Sequence, residues 1–158
     1  MSATKDLAPL FRRDLTRLVQ QIEAFPNDEA LWQTLPGVTN AAGNLVLHLE
    51  GNLREYVGRQ LGKLPYKRTR ELEFSSKGIS RSELGTRIAE LRRSIPSVIE
   101  GLSPQQMGTE YPEKVLGVAI STQEFLFSLY GHLNWHLGQI DYLRRAFTGD
   151  GAIKMAGL

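Results

Sequence analysis

The sequence predicts an all-α protein: a four-helix bundle with two long connections, between helices two and three and between helices three and four. Three observations carry this. Apolar residues recur at 3–4 spacing in four stretches. Ser-x-x-Glu capping boxes open two of those stretches. The strict apolar–polar alternation of a strand is nearly absent.

The first helix spans 7–24, with Leu7, Leu10, Phe11, Leu15, Leu18, Val19 and Ile22 on one side. Pro26-Asn27-Asp28 ends it. A short connector, DEALWQTLPG, follows, and its Trp32 and Leu35 are expected under the bundle. The second helix runs from about Asn40 to Leu61, with Leu45, Leu49, Leu53, Tyr56 and Val57 inward and Gly62 as its stop. Residues 62–79 show many charges and no clear period, so they read as a long crossing loop with room for a short ordered segment. Ser80 with Glu83 opens the third helix, where Pro96 is expected to kink or split the pattern. Residues 103–120 are a second irregular connection in which VLGVAI reads as a short extended piece. Ser121 with Glu124 opens the fourth helix, which runs to about Phe147 before Gly149-Asp150-Gly151. With no internal repeat and no linker, residues 1–158 read as one domain.

Composition narrows the function classes. The chain has 158 residues, 41% hydrophobic and 23% charged, as in ordinary globular domains. It contains no cysteine, which excludes disulfides, Cys-type zinc sites and a thiol nucleophile, and is compatible with the cytoplasm. The start, MSATKDLAPLFRRDL, reads as neither a signal peptide nor a membrane span. A net charge of +2 is too small to indicate nucleic acid. The basic clusters Arg12-Arg13, Lys67-Arg68-Thr69-Arg70, Arg92-Arg93 and Arg144-Arg145 read as solvated helix faces or loops.

The chain has three histidines. His132 and His136, in GHLNWHLGQIDYLRR, lie about 40° apart on the fourth helix, on the side of Phe125, Leu129, Ile140 and Leu143. Their Cβ atoms are then roughly 5–6 Å apart, close enough to share one metal ion. His48 shares its helix side with Leu45 and Asn52 and can complete a three-histidine set, because facing bundle helices converge. The competing reading is three core histidines with satisfied hydrogen bonds. Asn44, Asn52 and Gln139 are polar positions on inward faces and candidates for orienting the imidazoles. Asp14 flanks the first apolar stripe, whereas Glu50 and Asp141 point away from the histidines. Tyr56 and Tyr130 are candidate proton donors, and no general base is evident.

The segments LHLEGNLREYVG and H-x-x-x-H-x-G-Q-I, with Leu31-Trp32 and the Arg-Glu-Leu-Glu-Phe stretch at 70–74, resemble the DinB-like or YfiT-like bacterial proteins. These are metal-dependent four-helix bundles, distinct from the DNA polymerase that shares the DinB name. The resemblance covers nearly the whole chain. It implies a metal held by His48, His132 and His136, with nickel or zinc as the usual ion. It also implies a homodimer, and several members are transferases or isomerases that use small thiols. The expected function is a metal-dependent enzyme of transferase or hydrolase type acting on a small molecule, with a low-molecular-weight thiol as a candidate cosubstrate and no nucleic-acid or membrane partner. The alternatives are a non-catalytic metal-binding stress-response protein and a metal-free helical interaction protein.

Overall fold

The computed structural model describes residues 3–114, 117–155 and 157. Among these the chain is helical, and the only extended pairing is an isolated antiparallel bridge between Glu110 and Ser121. There are six α-helices where the periodicity indicates four: α1 (Ala3–Glu23), α2 (Ala42–Leu53), α3 (Arg70–Ser75), α4 (Arg81–Glu100), α5 (Pro104–Gly108) and α6 (Thr122–Thr148). The two additional helices are the short α3 and α5, and both lie in the segments read as loops. Periodicity misses them because neither is long enough to show an apolar stripe. Helix α5 opens with a complete reciprocal capping box between Ser103 and Gln106.

The four long helices share one core. Helix α1 lies against α4 and α6, and α2 lies against α4 and α6 and is also covered by α3. Ser80 and Ser121 cap α4 and α6 by accepting the Glu83 and Glu124 backbone N–H groups. Pro96 does not split α4, which continues to Glu100. Proline removes one intrahelical bond, and here the ring is buried among the core residues of a helix anchored on two neighbours. Gly149, at φ 72°, ends α6 in the left-handed conformation.

Helix α2 is the inner element, and all twelve of its residues are buried. It continues into a π-helical stretch, Arg54–Arg59, with i→i−5 bonds such as Gln60 N–H to the Glu55 carbonyl at 3.1 Å. Trp32 is half-buried beneath α2, its indole N–H bonded to the Ile79 carbonyl at 3.0 Å. The ring occupies the space a side chain at Gly43 would need, with ring carbons 2.8 Å from an ideal Cβ. Leu35 also packs on the core edge.

The basic clusters are less solvated than their sequence indicates. Arg144 is fully buried and bonds Gln21, Asp141 and the Gly151 carbonyl, tying α1, α6 and the C-terminal segment together. Arg13 holds the buried Asp14, and Arg68 holds Glu73. Of the VLGVAI piece, Val115 and Leu116 lie outside the described residues; Ile120 accepts the Tyr111 N–H at 2.9 Å. Among the described residues no helix is long and apolar enough to cross a membrane.

Candidate metal centre

The three histidines meet. His48 reaches across from α2, and its Nε2 lies 3.1 Å from Nε2 of His132 on α6. His136, one turn further along α6, places its Nε2 3.1 Å from the same atom. One ligand atom from each ring lies within 4.8 Å of the others. Nitrogens bound to one tetrahedral zinc at about 2.0–2.1 Å would sit roughly 3.3 Å apart, so the spacing fits a shared ion.

The outer nitrogens explain why these rings face inward. His48 Nδ1 lies 2.9 Å from the Glu73 carboxylate. Burial raises the Glu73 pKa, but the bonds from His48 and Arg68 outweigh it and hold the carboxyl below its ordinary value. An ionised Glu73 only accepts, so His48 carries its proton on Nδ1 and turns the Nε2 lone pair toward the cluster. Gln139 is exposed rather than on an inward face as expected, yet its Oε1 lies 2.7 Å from His136 Nδ1, and accepting that proton turns His136 Nε2 inward. Burial lowers the His132 pKa to about 4, aided by His136 and His48 nearby. Burial also lowers that of His136, against the raising effect of its Gln139 bond. His132 is therefore neutral at pH 7, as a metal ligand must be.

The two inward-facing lone pairs share at most one donor, a single proton on His132 Nε2. His132 Nδ1 and Asn52 Oδ1 are, in addition, buried atoms with no partner among the described residues. A donor set of three convergent imidazole nitrogens is one that a divalent cation satisfies.

Glu73 is the site residue that sequence reasoning missed. It lies 25 positions from His48, on the aperiodic α3, and no spacing rule links the two. Four features seat it. Arg68 clamps its carboxylate with bonds of 2.6 and 2.9 Å. The Arg68 guanidinium lies 5.4 Å from the Tyr56 ring centroid. Asn44 does not touch an imidazole; its amide donates to the Glu73 and Ser76 carbonyls at 3.1 and 3.0 Å and so pins α3 to α2. Gly51 leaves the gap: a methyl there would overlap Glu73 Oε1 and lie 2.8 Å from its Cδ. Phe74, the next residue, packs on the His48 ring with centroids 5.1 Å apart.

The remaining candidates fall elsewhere. Tyr130 donates to Asp14 at 2.7 Å and accepts from Arg13, so both Tyr130 and Asp14 belong to an α1–α6 cluster separate from the histidines. Glu50 pairs with Arg54 and Arg87. Asp141 accepts from Gln21, Arg144 and Arg145.

The same architecture occurs in solved structures. A crystal structure of a DinB-like protein from Bacillus cereus ATCC 10987 matches with a TM-score of 0.67 at 16% identity, over 89% of this chain and 91% of that one. This chain has the DinB-like fold. A conserved protein from Enterococcus faecalis matches with a TM-score of 0.75 at 15% identity, over 95% of this chain and 99% of that one. No protein-family model matches the sequence, and no curated protein is significantly similar to it. At these identities the DinB-like likeness concerns the fold; the metal centre rests on the histidine geometry.

The Glu73–His48 contact should govern metal affinity. Glu73→Gln is expected to weaken zinc or nickel binding by about 10- to 100-fold. Gly51→Ala should do the same without unfolding the chain, since the group it displaces is the free end of a side chain and alanine favours the helix. Titration against a competing chelator reads both. Wild-type affinity in either variant would mean that Glu73 does not support the site.

Proposed function

We propose that this protein is a metal-dependent enzyme of transferase or hydrolase type, acting on a small molecule at an ion held by His48, His132 and His136 within its long helices. The observation that carries the reading is the convergence of three Nε2 atoms, two of them, on His48 and His136, oriented from behind by Glu73 and Gln139. Nickel and zinc are the ions we propose, because imidazole donors suit both. Such an ion supplies Lewis acidity to an oxygen or sulfur of the reactants. Three protein ligands are the number found in catalytic zinc sites, whereas structural sites carry four.

The protein's own groups do the positioning. Glu73 holds the His48 tautomer and is itself clamped by Arg68, so it serves as an orienting group rather than a free base. Gln139 does the same for His136. The low pKa of His132 keeps its ring neutral. The Tyr130 hydroxyl is committed to Asp14 and Arg13, which leaves Tyr56, packed edge-on against Phe125 at 5.3 Å and lying under Arg68, as the remaining tyrosine proton-donor candidate. A low-molecular-weight thiol is the proposed cosubstrate, and a cytoplasmic location belongs to the same reading.

The proposal is tested by assaying thiol transfer and hydrolysis with the zinc- or nickel-loaded protein, the chelated protein and a His132→Ala, His136→Ala variant. Turnover that requires the ion and disappears in the variant is expected. Turnover that survives chelation, or a loaded protein inert across both panels, contradicts it.

We also propose a homodimer formed through the outer face of α6. Phe127, Trp135 and Tyr142 project there at 52%, 68% and 74% exposure, an unusual concentration of exposed aromatic surface. Gly131 and Gly138 lie between them with open space above each, so a second copy could seat its rings over these glycines. Light scattering should give twice the 17.7 kDa chain mass, falling to one chain in Trp135→Glu. A monomeric wild type, or a variant that stays dimeric, contradicts this interface.

A further inference from the structure

A cavity of about 600 Å³ lies beside the histidines, between α2, α6 and the turn at 35–40. Its size is within the range of small-molecule sites. Leu35, Val38, Leu45, Leu143 and Ala146 form its apolar walls, and His136 and Gln139 form part of its lining. None of the described residues lining it is an aspartate, glutamate, lysine or arginine. That is a distinction within this molecule. Four other cavities each carry at least two such side chains, among them Glu23, Asp28, Arg81 and Arg92 in one and Lys63 with Glu110 in another.

We propose that this cavity binds the uncharged, largely apolar body of a small molecule that carries a hydrogen-bond acceptor at the end facing Gln139. The proposal extends the metal-site reading by naming the class of substrate. Two features argue for it. An ionic group placed against these walls would give up part of its hydration and meet no charged side chain in the lining, the nearby Arg145 on the Tyr142 ring being paired with Asp141, whereas an apolar body gains from leaving water. Thr39, Asn40 and Tyr142 also line the cavity, and Gln139 supplies the polar contact that is bonded to the histidine triad. Its Oε1 already accepts from His136 Nδ1, which leaves the amide NH₂ to donate to a carbonyl or hydroxyl oxygen on the ligand. The same residue thus touches the ligand and orients a histidine of the triad, so the acceptor end is the end held nearest the proposed ion.

Three probes with one tail and different heads test it: 1-octanol, octane-1-sulfonate and octyltrimethylammonium. Each is titrated into the metal-loaded full chain and into the chelated chain while methyl resonances of Val38, Leu45, Leu143 and Ala146 are followed by NMR. Octanol is expected to bind saturably, at least about tenfold tighter than either ion, with its shifts confined to those methyls. Val38→Asp, on the turn and not among the candidate ligands or their hydrogen-bond partners, should weaken octanol at least about tenfold while metal content stays as in wild type. Equal or tighter binding of either ion, shifts centred elsewhere, no saturable octanol binding, or an unaffected Val38→Asp variant would each overturn the proposal. Metal content measured on the same samples separates the two readings. A chain that takes up no metal but still prefers octanol sinks the metal centre and leaves the cavity assignment standing. A chain that takes up metal but shows no preference does the reverse.

Discussion

Helix α2 has no solvent-facing side, so its polar side chains are drawn to partners within the protein, with Asn52 Oδ1 the exception. This constraint organises the region around the site. Glu50 draws Arg54 and Arg87 to one side. Asn44 draws the carbonyls of Glu73 and Ser76, and so brings α3 down onto α2. His48 takes the Glu73 carboxylate at one nitrogen and the α6 histidines at the other. A loop that looks featureless in sequence is thereby fixed over the centre of the molecule. Gly51 is part of the same arrangement, because only the absence of a Cβ lets the carboxylate lie against the helix.

The electrostatics follow from that packing. A buried carboxylate is unfavourable alone, and Glu73 remains ionised because Arg68 and His48 both donate to it. Its charge sets the tautomer of His48, and Gln139 sets that of His136, so two lone pairs point at the one His132 Nε2. In a purely structural core this would be a poor solution. Apolar residues of similar volume would pack there without leaving His132 Nδ1 and Asn52 Oδ1 unpartnered. The arrangement makes sense when a cation supplies the common partner of the three inner nitrogens.

The long helices were legible because their apolar spacing and Ser-x-x-Glu starts are local signals, and the inward direction of the three histidines followed from the same spacing. Glu73 was not legible: its partner is distant in the chain and its helix is too short for a period. Asn44 was recognised as a polar group on an inward face, but its bonds to main-chain carbonyls of α3 depend on a tertiary contact that spacing does not reveal. Arg144 was misread for a related reason. A dibasic pair on a helix is ordinarily solvated, and burial of this one requires Gln21 from another helix and the Gly151 carbonyl beyond the helix end. The uncharged cavity joins α2, α6 and a turn, so no single stretch of sequence announces it.

The most direct measurement is the metal content of the chain purified without a histidine tag, read by plasma mass spectrometry beside a His132→Ala, His136→Ala variant. The account predicts one nickel or zinc per chain in the wild type and none in the variant. A wild type that remains metal-free after incubation with nickel, zinc, manganese and iron would contradict it and leave the three histidines as polar members of the core.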